Sequence, residues 1–306
     1  MRKIAFLFPG QGSQHVGMGK RFIDGYEEAR KIFRQARKIL GFDLEKLCRH
    51  GPEEELKKTT NAQPALLAVN WIFTRILREA GIEPTVVAGH SLGEYSAVLC
   101  AEVVDYPAAL RLVRRRAQFM EEASAALDGE MAAVIGLPRE VVLSICQKIK
   151  GVEAVNFNSP SQVVIAGGKK AVETASKKLK QEGAKKVIPL PVSGPFHTFF
   201  MRGAALKFGQ ELDRISFSDA CCKVLPNALA RYALSAEEIK KALRMQMDHP
   251  VLWEDSMRKL LSDGIDLFIE VGPGKVLQGL LRRIDRRALV LGMENPEDLE
   301  KIEHYS

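Results

Sequence analysis

Gly89-His90-Ser91-Leu92-Gly93 sets a serine between two glycines directly after the apolar run Val86-Val87-Ala88. The spacing is G-x-S-x-G, the pattern of a nucleophile elbow. In such a corner the serine sits in a strained turn between strand and helix, and small neighbours are needed where side chains would clash. The hydroxyl is left at the N-terminus of the next helix. There the Leu92 amide and the positive end of the helix dipole face any oxyanion that forms. The plainer alternative is an ordinary turn in which serine caps the helix. Placement between a buried strand and an amphipathic helix favours the nucleophile.

A serine nucleophile needs a base within hydrogen-bond reach that titrates near neutrality. His90 is adjacent, but neighbours at a strand end point to opposite sides, so His90 is assigned to packing. His15, His50, His249 and His304 have loop or terminal settings. His197 differs. In Pro-Val-Ser-Gly-Pro-Phe-His-Thr-Phe-Phe-Met (191–201) a strand ends in a Gly-Pro turn before a new helix, a setting comparable to the serine's own.

Two further features point to an anion. Phe-Pro-Gly-Gln-Gly-Ser-Gln (8–14) follows the first apolar run, with glycines flanking Gln11 that permit close backbone approach. It lacks Gly-Lys-Ser/Thr and the glycine spacing of a dinucleotide fingerprint, so a backbone amide donor is the better reading. The second feature is Arg116. With residues about 100° apart, the helix around it gathers Leu110, Leu112, Val113, Ala117, Phe119 and Met120 into one apolar arc. Arg116 falls inside that arc, while Arg111, Arg114 and Arg115 fall opposite. A guanidinium on a buried face is costly unless it meets a carboxylate or phosphate, which it can grip with two hydrogen bonds. A structural ion pair with an internal Asp or Glu is the alternative.

The elements that must position these residues read as α/β. Lys3–Gly10 reads as a buried strand ending at Pro-Gly, followed by helical patterns over 20–40 and 62–80. Residues 84–91 form a second buried strand running at once into a helix from Leu92, and 105–125 a further helix near Asp105 and Pro107. Strand then helix, repeated, marks an α/β sheet. The rhythm then changes to strand 131–137, helix 138–150, strands 152–160 and 161–168, helix 170–183 and strand 185–193. That β-α-β-β-α-β order is the split βαβ pattern of a ferredoxin-like unit, inserted at roughly 126–192. After it come helical segments and one strong strand at 266–274.

Composition narrows the functional classes. The chain of 306 residues is 46% hydrophobic and 27% charged, enough for one large domain carrying a smaller one. No segment reads as a secretory signal or a membrane span, so a cytoplasmic protein is expected. Five cysteines without a C-x-x-C pair argue against a disulfide framework or a zinc site. The net charge of +7 favours an acidic partner. The positives are scattered among acids, so nucleic acid is not that partner.

Seven stretches together resemble a known family. They are FPGQGSQ, GHSLGEYSA, RRRAQFMEEA, NFNSPSQVVIAGG, VSGPFHTFFM, QMDHPVLW and EVGPGKVLQGLL, in that order between about residues 4 and 290. They are similar to the malonyl-CoA:acyl carrier protein transacylases of fatty acid synthesis. The resemblance implies an α/β-hydrolase-like domain (1–125 and 193–306) with a ferredoxin-like insertion (126–192). It implies Ser91 as the residue that becomes malonylated and His197 as general base and later acid. The imidazole would be oriented by the backbone carbonyl of Gln246 in place of an aspartate. Amides of Gln11 and Leu92 would form the oxyanion hole, and Arg116 would hold the malonyl carboxylate. Phe196 stands where members taking unbranched malonyl tend to carry phenylalanine. The segment 221–232 follows the family only loosely, which leaves a role for Asn227 open.

The reaction so implied is ping-pong acyl transfer from malonyl-CoA to the thiol of an acidic acyl carrier protein, with no metal or redox cofactor and with a monomer expected. Lys185 with Lys186, and Arg282 with Arg283, are basic pairs placed at the cleft rim, the alternative being solvated strand and helix ends. Three rivals share parts of the pattern. A thioesterase has the elbow but no need for an arginine in the acyl pocket. A discrete acyltransferase of a polyketide or polyunsaturated fatty acid synthase shares every motif. A non-catalytic scaffold or binding module does not need Ser91 and His197 together.

Overall fold

The computed structural model describes residues 2–192 and 194–306. In chain order the first part runs β1 (Ile4–Phe8), α1 (Lys20–Gly25), α2 (Glu27–Leu40), α3 (Leu44–His50), α4 (Glu53–Lys57), α5 (Thr59–Glu79), β2 (Val86–Gly89), α6 (Gly93–Cys100) and α7 (Tyr106–Ala125). The middle part is β3 (Gly129–Ile135), α8 (Arg139–Gln147), β4 (Val152–Ser159), β5 (Gln162–Gly168), α9 (Lys169–Gln181) and β6 (Lys186–Pro189). The strand expected to reach Ser193 ends earlier, and Ser193 lies outside the described residues. The last part is α10 (Arg202–Asp213), β7 (Lys223–Leu225), α11 (Ala236–Met245), α12 (Trp253–Ser262), β8 (Leu267–Val271), α13 (Val276–Ile284), β9 (Val290–Met293) and α14 (Pro296–Tyr305).

β1 is buried at every residue, as an unbroken apolar run requires of a strand covered on both faces. It lies at the centre of a five-stranded sheet of order β7-β2-β1-β8-β9, with every neighbouring pair parallel. Strand alternation sends Ile4, Phe6 and Phe8 to one core, with Phe73 and Leu77 of α5 and Leu110 and Val113 of α7. Ala5 and Leu7 go to the opposite core, with Trp253, Met257 and Leu260 of α12 and Leu277 and Leu281 of α13. The chain builds outward from β1 first through β2 and β7, then through β8 and β9 on the other side. The crevice at such a reversal of strand order, beyond the carboxyl ends of the strands, is where α/β sheets place ligands. Gln11 follows β1 there, and Ser91 follows β2.

A second, four-stranded sheet has the order β4-β5-β3-β6 with all neighbours antiparallel. One face packs on α8 and α9 through Ala132, Val134, Val163 and Ile165 against Val142, Ile145, Val172 and Leu179. The alternate residues Met131, Ala133 and Val164 face the first sheet's crevice. Two backbone bonds, Phe157 N to Val251 O (2.9 Å) and Val251 N to Val155 O (2.8 Å), tie β4 to the segment before α12.

Three sequence expectations need correction. The helix read over 20–40 is two helices, because Tyr26 adopts an extended backbone (φ −121°, ψ 111°) between them. The helix read from residue 62 begins at Thr59 and runs through Pro64. Proline removes the bond that would reach the carbonyl four residues back, and Arg114 Nη1 donates to that Thr60 carbonyl instead, at 2.8 Å. The single strand read after residue 193 is three, since β7 and β9 close the two edges of the parallel sheet. At three and four residues they are too short for periodicity to register.

Candidate active site

Ser91 leaves β2 with φ 50°, in the left-handed region that side chains other than glycine rarely adopt. The flanking glycines are there because the corner is too tight for a Cβ. One on Gly89 would lie 1.9 Å from the Gly93 carbonyl carbon, and one on Gly93 would lie 2.0 Å from Phe8 O. Asn227 clamps the corner from outside. Its Oδ1 accepts from Ser91 N at 2.7 Å and its Nδ2 donates to Gly89 O at 2.6 Å.

His197 is also left-handed, with φ 64°. Thr198 Oγ1 donates to Pro195 O (2.6 Å), and His197 N donates to Met247 O (3.1 Å). Its ring Nδ1 donates to the backbone carbonyl of Gln246 at 2.8 Å, which leaves Nε2 as the acceptor for Ser91 Oγ, also at 2.8 Å. The ring is buried, and burial together with the nearby Arg116 cation pushes its pKa down from 6.5 to about 3. It is a neutral acceptor at physiological pH.

Arg116 is wholly buried on α7. Nη1 donates to Gln63 Oε1 (2.8 Å), while Nη2 and Nε donate to Gln246 Oε1 (2.9 and 3.2 Å). Nη2 also reaches Ser91 Oγ at 3.2 Å, and the Tyr95 ring lies 5.3 Å from the guanidinium carbon. Among the described residues no carboxylate stands within ion-pair distance of it, so the internal ion pair weighed above is absent. Burial lowers its pKa, with Tyr95 and Glu94 acting the other way.

Gln11, Ser91, Leu92, Arg116, Phe196 and His197 line one cavity of about 90 Å³, which Met120, Met131 and Leu190 also wall. The Gln11 and Leu92 amides donate to no acceptor among the described residues. The Gln11 side chain is held aside by donating to Thr59 Oγ1 (3.1 Å). A second hollow of about 240 Å³ adjoins this cavity, sharing Gln11, His90, Asn156 and Leu190 with it. His90 is turned away from the serine hydroxyl, donating from Nε2 to Asn158 Oδ1 (2.8 Å) and packing edge-on against Trp253. His15, His50 and His304 are exposed and His249 is half-buried.

The basic pairs are not brought into this cavity. Lys185 and Lys186 are exposed where β6 begins, and Lys186 shares a strand face with Ile188, whose next alternate residue Leu190 walls the cavity. Arg282 lines a separate hollow with Lys275 and Lys301. Arg283 lies seven residues after Val276 and three after Leu280, on the face of α13 that borders the second hollow.

Sequence reading missed Gln63 and Glu94, and left Asn227 open. Glu94 had a signal. It is an acid three residues after the serine, and the only charged residue of its helix. Gln63 and Asn227 reach the site from α5 and from the turn after β7, and nothing in their local sequence marks them.

The acyl transferase domain family matches residues 5–296. The chain is 43% identical over 304 residues to the malonyl CoA-acyl carrier protein transacylase of Bacillus subtilis (strain 168), covering 98% of this chain and 96% of that one. It is 44% identical over 288 residues to the protein of that name from Escherichia coli K12, covering 93% of each. Among solved structures it is similar to a malonyl-transacylase in complex with its type II PKS acyl-carrier protein. That match has a TM-score of 0.97 and 40% identity, covering 99% of this chain and 100% of that one. It is also similar to an acyl carrier protein S-malonyltransferase from Vibrio cholerae, with a TM-score of 0.95 and 41% identity over 98% of this chain and 99% of that one.

Proposed function

We infer the reaction from the family, since the chain belongs to the acyl transferase domain family and, within it, to the malonyl CoA-acyl carrier protein transacylases. It is an acyltransferase that moves a malonyl group from malonyl-CoA to the phosphopantetheine thiol of an acyl carrier protein. In our reading Ser91 Oγ attacks the thioester carbonyl as its proton passes to His197 Nε2. The developing oxyanion is met by the unengaged amides of Gln11 and Leu92 at the head of α6. The C–S bond breaks, His197 returns the proton to the CoA sulfur, and malonyl-Ser91 remains. The carrier thiol then gives its proton to the same ring, its sulfur attacks the ester carbonyl, the C–Oγ bond breaks, and His197 returns the proton to Ser91 Oγ. Both half-reactions balance with the serine, the imidazole and the two thiols alone.

Arg116 carries the choice of acyl group. Its wholly buried guanidinium, with no acidic partner among the described residues and 3.2 Å from the nucleophile, suits a substrate carboxylate. Phe196, in the wall of a cavity of about 90 Å³, suits an unbranched group. The backbone of Gln246 orients the base where a triad would use an aspartate. We describe the large unit (1–125 and 193–306) as α/β-hydrolase-like on its elbow, and the insertion (126–192) as ferredoxin-like on its strand order. Among the described residues no helix is long and apolar enough to cross a membrane. A cytoplasmic setting is part of the proposal, supported by five free cysteines.

Intact-mass analysis tests the reading. Malonyl-CoA is expected to add one malonyl group to the protein, removable by carrier protein, and Ser91→Ala is expected to add none. An adduct on Ser91→Ala would move the nucleophile elsewhere. A second reading concerns the acceptor only. The similarity to a transacylase solved with a type II PKS carrier supports a polyketide carrier as an alternative, and kcat/KM with each carrier separates the two.

A further inference from the structure

Glu94, the second residue of α6, is 1% exposed, and the mechanism above gives it no task. Its Oε2 accepts two hydrogen bonds, from Gln246 Nε2 at 3.0 Å and from the Asn227 amide at 3.1 Å. Among the described residues no cation pairs with it. Burial pushes its pKa up to about 7, opposed by those two donors and by Arg116. The head of a helix favours an anion here.

The amide it meets is polar in two directions. Gln246 Nε2 donates to Ser91 O (2.6 Å) and to Glu94, while Gln246 Oε1 accepts twice from Arg116. The two ends of a primary amide have nearly the same shape and opposite polarity. Reversed, this one would set an NH₂ group against the guanidinium donors and an oxygen against the Glu94 carboxylate and the Ser91 carbonyl. Ionised, Glu94 can only accept, so together with the Ser91 carbonyl it holds the amide nitrogen on its own side.

We propose that Glu94 is a positioning residue whose carboxylate fixes the direction of the Gln246 amide and thereby aims the Arg116 fork at the acyl carboxylate. This rests on the malonyl-transfer reading. It also separates two routes. Through Gln246 the acid acts on Arg116, and so more on malonyl than on an acyl group without a carboxylate, although both side chains also touch Ser91. Through Asn227 it acts on the elbow, and so on every acyl group alike.

The test compares wild type, Glu94→Leu and Glu94→Gln in steady-state transfer from malonyl-CoA and from acetyl-CoA. Glu94→Leu removes the acceptor, and the malonyl-over-acetyl ratio of kcat/KM is expected to fall about tenfold or more, with malonyl KM rising. Glu94→Gln can keep an acceptor oxygen in place, and the ratio is expected to stay within about threefold of wild type. Should Glu94→Leu fail to fold, Glu94→Asp withdraws the acceptor by one methylene and is expected to lower the ratio in the same way. An unchanged ratio in Glu94→Leu, or in Glu94→Asp where that stands in, would overturn the proposal. So would a loss in Glu94→Gln as large as in the acceptor-free variant. A wild-type chain that takes no malonyl group at all would sink the functional reading instead.

Discussion

Ser91 and His197 both hold left-handed backbone, at φ 50° and φ 64°, but by different means. The serine is confined first by its own pentapeptide, where Gly89 and Gly93 let the chain close upon itself and upon Phe8, and Asn227 adds an outer clamp. The histidine is confined by residues far along the chain, with its amide on Met247 O and its ring on Gln246 O, 49 residues away. Strain that is held locally leaves a pattern of residue types at fixed spacing. Strain held at long range leaves almost none.

That contrast can be broken at its local side first. Gly93→Ala places a methyl 2.0 Å from the Phe8 carbonyl oxygen, backbone against backbone, with no flexible side chain to yield. The expected cost is roughly 3 kcal/mol or more of stability, with loss of malonylation even in the fraction that stays folded. Thermal melts and intact-mass labelling check both. A variant that labels at the wild-type rate would show that the corner does not depend on the close approach.

The next largest effect sharpens what surrounds the histidine. Arg116→Ala is expected to lower malonyl-over-acetyl preference about ten- to a hundredfold, the worth of a buried charge-assisted pair. The same change tests His197. Burial and the Arg116 cation both drive the proton off, so the ring of the wild-type enzyme stays neutral as pH falls through its ordinary 6.5. With acetyl-CoA as donor, which has no carboxylate for Arg116 and Glu94 to serve, the acid limb of kcat/KM is therefore expected well below that value, with little loss between about pH 7 and 5.5. Removing the cation removes the second largest of the causes, so the limb moves up in Arg116→Ala, read with acetyl-CoA as donor. A wild-type limb at 6.5 would contradict the burial of the ring. A limb unmoved by the substitution would show that the cation does not hold the ring neutral.

The same division between local and distant explains what was legible in the chain. The elbow, the apolar arc containing Arg116 and the alternation of strand and helix could be read, because each is a pattern within some twenty residues. His197 could be singled out by its turn, yet its pairing with Gln246 came only from resemblance, since a backbone carbonyl carries no residue-type signal. β7 escaped because three residues hold no period, and with it went the reason for Asn227. That side chain reaches 136 residues back to the Ser91 amide. Gln63 sits among fully buried neighbours of α5 and reads as helix core until Arg116 is placed beside it.

The smallest expected effect carries the contrast to the surface, where two residues adjacent in the chain face different ways. Arg283 shares its helix face with Val276 and Leu280, which wall the hollow next to the cavity, whereas Arg282 lines a hollow with Lys275 and Lys301. Val276 is 52% exposed there, so this face meets solvent at the mouth of the cleft. We propose that an acidic carrier delivering its thiol to Ser91 passes Arg283 and not Arg282. Rim charges act mainly on encounter rate and are screened by salt. Arg283→Glu is therefore expected to lower kcat/KM for carrier protein about three- to tenfold at low ionic strength, with the difference shrinking at high salt. Malonylation by malonyl-CoA should change less than the carrier step. Arg282→Glu is expected to change the carrier step by less than about twofold, and equal losses from the two would mean that the carrier meets total charge and not this face of α13.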